Sequence, residues 1–180
     1  MPSALKGLSR EHILIAFAGV GKYNEFDQLR VSGIRHADTK GYAYSREDVE
    51  ARSLANLYAQ YLGQVFTHEM KPLEVEILVA ELGNGLRPPQ LYHIAYEGTI
   101  TDEDRFAVLG GETEAIAAKL DAEWSATWTL AEALRSAVAA LAGAERTLVA
   151  DDLEVAALAE GNGRRAFRRL VEDELTALLA

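Results

Sequence analysis

Residues Gly21–Gln64 read GKYNEFDQLRVSGIRHADTKGYAYSREDVEARSLANLYAQYLGQ, and this stretch decides the fold. From Lys22 to Thr39 the apolar residues Tyr23, Phe26, Leu29, Val31 and Ile34 alternate irregularly with charges, a helical rather than strand-like distribution. Gly41-Tyr42-Ala43-Tyr44 reads as a Gly/Tyr turn that interrupts it. Ser45, three residues before Asp48, approaches a capping box, and Glu47 and Asp48 suit the positive end of a second helix. In that helix Leu54, Leu57, Tyr58, Tyr61, Leu62 and Val65 recur at steps of three and four and make one apolar stripe. Pro72 requires the helix to have ended. Two consecutive amphipathic helices therefore present a common face to a sheet or core.

Working outward, Ile13–Val20 reads as a buried strand leading into the helix pair. Leu73–Leu82 places Leu73, Val75, Ile77 and Val79 on one face, the alternation of a half-buried strand. Gly83-Asn84-Gly85 and Pro88-Pro89 mark a loop. Gln90–Glu97 alternates again, with Tyr92, Ile94 and Tyr96 on one side, and Glu97-Gly98 turns the chain. Short strands are expected at Thr99–Thr101 and Phe106–Leu109. Gly110-Gly111 opens a second helical region with Ile116, Ala117, Leu120 and Trp124 on its stripe. Thr129 and Glu132 form a capping box for a helix bearing Leu130, Leu134, Val138 and Leu141. Asp152–Ala159 and Ala166–Leu170 read as a hairpin across Gly161-Asn162-Gly163, and Val171–Leu179 as a closing helix. Helices segregated from antiparallel strands suggest an α+β layered protein. No repeat or linker divides residues 1–180, so one domain is expected.

The chain has 180 residues, 49% hydrophobic and 26% charged, enough for one full core. It has no cysteine, which excludes disulfides and thiolate metal sites and suits a reducing compartment. The net charge is -10, with an isoelectric point near 4.9, which argues against a nucleic-acid partner. The apolar run Ile13–Val20 is too short to cross a bilayer. It also passes straight into a helix without the spacer of a signal peptide. The expectation is a cytoplasmic protein with no membrane partner.

Sharp chemical motifs fail one by one. Ala18-Gly19-Val20-Gly21-Lys22 resembles a phosphate loop, but Ala16 stands where the first glycine is needed and Tyr23 where Ser or Thr is needed. Glu112 and Glu114 would repel an anion from the helix after Gly110-Gly111. His12, His36, His68 and His93 show no metal-ligand spacing. There is no G-x-S-x-G elbow, and no cofactor is implied. Arg164, Arg165, Arg168 and Arg169 form a basic cluster, read as a solvated strand end paired with acidic neighbours such as Glu172 and Asp173, or with another subunit. Trp124, Trp128, Tyr58 and Tyr61 are possible interface anchors.

The blocks GKYNEF at 21–26, ADTKGYAY at 37–44 and RSLANLYAQYLG at 52–63 resemble, in order and spacing, the α-type subunits of actinobacterial 20S proteasomes. KPLEVEILVAEL at 71–82, LYHIAYEG at 91–98, FAVLGGETEAIA at 106–117 and DLEVAALAEGNGRRAFRRL at 152–170 extend the resemblance over most of the chain.

That resemblance implies the αββα four-layer sandwich of the N-terminal-nucleophile hydrolases. The catalytic β-type members begin with a threonine that acts as nucleophile, its own amine serving as base. This chain begins Met-Pro-Ser and so resembles the non-catalytic α type, a subunit of a threonine-type endopeptidase complex with no catalytic residue of its own. The resemblance implies a seven-membered homo-oligomeric ring that stacks on β-type subunits, gates substrate entry and docks a ring-shaped ATPase activator. Lys6 is the residue expected to receive the activator's C-terminal carboxylate. Tyr23, Phe26, Arg30, Tyr42, Tyr44 and Tyr58 are the expected ring and β-subunit interface residues. Family members carry a gating tail, an N-terminal helix and a strand hairpin before the matched region, and the match here begins at Pro2-Ser3. A form lacking that first helix and hairpin is therefore expected. Two alternatives stay open: a stand-alone homo-oligomeric hydrolase of the same fold, and a truncated paralogue unable to assemble.

Overall fold

The computed structural model describes residues 14–45, 48–83, 87–159 and 166–180, together with the backbone of 5–7. The elements in chain order are β1 (Leu5–Gly7), β2 (Ile15–Gly21), α1 (Tyr23–Ala43), α2 (Ala51–His68), β3 (Val75–Glu81), β4 (Gln90–Ile94), β5 (Ile100–Asp102), α3 (Thr113–Glu123), α4 (Leu130–Ala142), β6 (Ala156–Leu158), β7 (Phe167–Arg169) and α5 (Glu172–Leu179). Strands β1 to β5 form one antiparallel sheet in sequence order, and β6 pairs with β7 in a second. The α+β expectation therefore holds. Sequence reading placed no strand at Leu5–Gly7, yet β1 pairs with β2 in register Leu5 to Ala18.

The first sheet is built around the β2–β3 pairing, in which Phe17 faces Val79 and Gly19 faces Ile77. Alternation puts Ile15, Phe17, Val75, Ile77, Val79, Tyr92 and Ile94 on one buried face. Helices α1 and α2 cover that face. The buried residues of α2 are Ala51, Leu54, Ala55, Tyr58 and Leu62, at steps of three and four. Those of α1 are Phe26, Leu29, Gly33 and Ala37. Phe17 centres the packing, with ring centroids 4.9 Å from Phe26 and 5.3 Å from Tyr58. Each such side chain, fully buried, contributes roughly 1.5–3 kcal/mol.

Two glycines carry close geometry. Gly21 ends β2 with φ 121°, a left-handed conformation that lets the chain turn into α1. Gly33 lies under the Tyr58 hydroxyl: a Cβ there would stand 1.7 Å from the oxygen.

A second core joins α4, α5 and the β6–β7 hairpin through Leu134, Leu170 and Leu175, with Val138, Val155 and Ala157 packed against it. Helix α4 starts as expected: Thr129 Oγ1 accepts from the Glu132 backbone N–H, and the Glu132 carboxylate accepts from the Thr129 N–H at 2.7 Å. These bonds hold the Glu132 carboxyl below its usual range. Leu130 and Leu141, expected on the buried stripe, are exposed; Leu134 is the buried member.

Other expectations are corrected. Helix α1 does not stop at Thr39 but runs through Gly41-Tyr42-Ala43 to a cap at Tyr44. Helix α2 starts at Ala51, not at Ser45. Its N-cap, Glu50, makes no side-chain cap bond; instead the Ala51 N–H donates to Glu81 Oε2 of β3 at 2.7 Å. A carboxylate from the sheet does the work assigned to a local box, and sequence spacing carries no signal of it. Residues 106–109 are not a strand. Tyr96 lies beyond the end of β4 and is exposed. No residue of α3 is fully buried, so its stripe is only partly covered. Glu47, the turn at 161–163 and Arg164–Arg165 lie outside the described residues.

Candidate functional site

At about 1.5 Å per residue, α1 is roughly 30 Å long, and its ends are far apart. The expected interface residues divide between those ends and the interior. Tyr42 is 94% exposed and Tyr44 79%, both at the C-terminal end. Tyr23 begins the helix and is half-exposed. An isolated exposed tyrosine needs no explanation, but two flanking one helix end make an apolar prominence. Phe26 and Tyr58 are corrected: both are core residues, 3% and 1% exposed, whose rings pack on Phe17 and are closed to a partner. Arg30 is half-buried and held by Asp27, with Nη2 2.8 Å and Nε 2.9 Å from Oδ1.

Lys6 sits in the middle of β1, its backbone opposite Phe17 of β2. Its side chain lies outside the described residues. The pairing fixes its position at the outer strand of the five-stranded sheet.

The N-terminal end of α1 is tied to the start of β3 by charges. Lys22 Nζ lies 2.9 Å and Lys71 Nζ 3.3 Å from the Glu74 carboxylate, and the Glu25 carboxylate accepts the Glu74 N–H at 2.7 Å. The lysines hold the Glu74 carboxyl below its usual range. Lys22, the lysine of the phosphate-loop reading, thus pairs with Glu74. Beside it, Val20, Pro72, Leu73 and Tyr96 line an open groove of about 420 Å³.

Near the other end of α1, a polar chain crosses to α2. Lys40 Nζ donates to Ser53 Oγ at 3.3 Å, and Ser53 Oγ lies 3.2 Å from His36 Nε2. With the lysine donating to its oxygen, the serine hydroxyl is free to donate to a neutral imidazole. Burial, and then Lys40, push His36 below its ordinary range, which favours that neutral form. Sequence reading missed this cluster. His36 and Lys40 share a helix face at a spacing of four, but Ser53 reaches them only through the packing of α2.

The basic cluster is paired where it is described. Arg168 makes a bidentate bridge to Glu174 at 2.7 and 2.8 Å, and Arg169 pairs with Glu154 at 2.9 Å. Sequence reading expects such pairing, with Glu172, Asp173 or another subunit as partner; the intrachain partners are Glu174 and Glu154. The Arg105 guanidinium lies 5.7 Å from both the Trp124 and Phe106 ring centroids and pairs with Asp121. Among the described residues no three His, Asp or Glu side chains gather as a metal site, and no helix is long and apolar enough to cross a membrane.

Comparison with known proteins gives this arrangement its class. Residues 9–158 match the family model described as "Proteasome subunit". The chain is 62% identical over 176 residues to a protein named proteasome subunit alpha from Acidimicrobium ferrooxidans, covering 98% of this chain and 76% of that one. It is 50% identical over 186 residues to the protein of that name from Kineococcus radiotolerans, covering 98% and 78%. For Mycobacterium tuberculosis the identity is 48% over 186 residues, covering 98% and 75%. The chain belongs to the proteasome subunit family, and its relatives there are α subunits. That places it among the non-catalytic subunits rather than the stand-alone hydrolases.

Proposed function

We propose that this chain is a structural and regulatory α-type subunit of a proteasome core in the cytoplasm. Identical copies form the outer, seven-membered ring. That ring stacks on β-type subunits, which carry the threonine-type peptidase activity. It gates substrate entry and receives a ring-shaped ATPase activator. The observation that carries the reading is the 62% identity to a named α subunit over 98% of the chain.

In the assembled subunit, residues 1–180 act as one domain in a four-layer sandwich. Support comes from two antiparallel sheets, the first covered on one face by α1 and α2, the second packed with α4 and α5. Tyr42 and Tyr44 supply the subunit contacts at one end of α1, Tyr23 those at the other, with Arg30 between them. Lys6 receives the activator's terminal carboxylate, as a lysine ammonium suits a single anionic group.

The test is native mass spectrometry of the purified chain, alone and co-expressed with a β-type subunit from the same genome. A ring, or a stacked complex with peptidase activity that the chain alone lacks, supports the reading. A monomer in both samples, or peptidase activity of the chain alone, would overturn it.

A further inference from the structure

Ala37 is the last buried residue of α1, yet the helix runs on to Ala43. Asp38, Thr39, Tyr42 and Ala43 are exposed, so this end has no buried apolar anchor of its own. A helix end with few buried contacts opens at low cost. A polar bridge ties it to α2: Lys40 Nζ at 3.3 Å and His36 Nε2 at 3.2 Å meet the same Ser53 hydroxyl oxygen.

The bridge works in one protonation state. Lys40 can only donate, so the serine oxygen accepts from it and the serine proton goes to His36 Nε2, which must be bare. A proton on Nε2 reverses that bond. Two cations then face one oxygen, and the serine proton loses its acceptor. Protonation also sets two like charges one turn apart on α1. Burial, and then Lys40, favour the neutral ring, and among the described residues Lys40 is the one charge that shifts it. From α2 the facing group is the uncharged Ser53; Arg52 beside it pairs with Asp102 at 2.8 Å. Arg35 and Asp38, the charged neighbours of His36 along α1, are exposed and opposite in sign.

We propose that His36, Ser53 and Lys40 form a pH-sensitive latch, which holds the last turns of α1 against α2 while His36 is neutral and releases them when it is protonated. Tyr42 and Tyr44 lie on the released end, so contacts made through them loosen in acid. That consequence rests on the interface role proposed above.

Amide hydrogen exchange of the full chain tests the latch, read as protection relative to the intrinsic rate at each pH. From pH 8 to pH 5.5, protection at residues 40–44 should fall about fivefold, within the roughly tenfold that linkage allows one unit below the ordinary 6.5. His36→Gln should show no such fall. Ser53→Ala removes the shared oxygen, so protection there should already be low at pH 8. An equal fall in His36→Gln, a parent fall spread evenly over α1 and α2, or full protection of the end in Ser53→Ala would each overturn the latch. The complex formed with the β-type subunit at the same two pH values tests the consequence. Less complex in acid for the parent but not for His36→Gln extends the latch to assembly, and equal amounts overturn that step. No complex at either pH would overturn the proposed function, while the exchange result still decides the latch.

Discussion

The Tyr58 hydroxyl rests on Gly33, so close that a Cβ at that position would stand 1.7 Å from the oxygen and 2.8 Å from Cζ. This contact limits how near α2 comes to α1, because the Tyr58 ring also packs, tilted by 48°, against Phe17 of the sheet.

Gly33→Ala should therefore destabilise the chain by about 1–3 kcal/mol through overpacking. Helix propensity alone predicts the opposite sign, a gain of about 0.5–1 kcal/mol for Ala over Gly. Urea denaturation decides between them. A stabilised variant would show that Tyr58 has room to move. Tyr58→Phe in the same background should recover part of the loss.

Removing the carboxylate that holds the start of α2 tests the long-range cap. Glu81→Ala should cost about 1 kcal/mol, the range of a lost helix cap, because the Ala51 N–H loses its partner at 2.7 Å. Hydrogen exchange at the first turn of α2 should accelerate selectively. Unchanged exchange there would mean that water replaces Glu81 without penalty.

His36 gives stability a pH dependence of known sign. Its folded pKa lies below the ordinary 6.5, so the unfolded chain takes the proton more readily. Its contribution is complete above pH 6.5 and is lost as pH falls from there through the folded value. Protonation also sets His36 against Lys40 and turns Nε2 from acceptor to donor towards Ser53. Denaturation at pH 8 and pH 5.5 should show a steeper loss in the parent than in His36→Gln. Equal losses would remove His36 from the account.

Tyr42→Ser and Tyr44→Ser should leave the isolated chain within about 0.5 kcal/mol of the parent, since both side chains are largely in solvent. Assembly is where they should act. Size-exclusion chromatography with the β-type subunit should show a reduced complex fraction for the double variant. An unreduced fraction would take both residues off the interface.

Lys6→Ala should abolish stimulation by the ATPase activator while ring formation continues. Peptidase assays with and without activator read the first, and native mass the second. Unaltered stimulation would remove Lys6 from the site.

Much of the architecture was legible because it rests on local periodicity. The alternation of Val75, Ile77 and Val79, the steps from Leu54 to Leu62, and the Thr129–Glu132 box each encode their element within a few residues. The errors fall where a partner distant in sequence intervenes. Spacing points to Ser45 as the start of α2, but the helix begins at Ala51, whose N–H is taken by Glu81, thirty residues further on. The residues at 106–109 have strand-forming side chains but no strand beside them. On α1, Phe26 and Leu29 of the apolar set are buried as their spacing suggests, but Gly33 and Ala37, which carry no hydrophobic signal, are buried beside them, and at Gly33 a Cβ would stand 1.7 Å from the Tyr58 oxygen of α2.

The candidate site shows the same division. Composition and motif order determined the family, the α+β class and the helix pair, because each depends on residue type and spacing along one chain. Tertiary structure alone decided that Phe26 and Tyr58 are core while Tyr42 and Tyr44 stand in solvent. All four are aromatic residues, and the sequence offers all four as candidate contact residues. Exposure is a property of what lies opposite, and what lies opposite Tyr58 is Gly33 on one helix and Phe17 on the sheet.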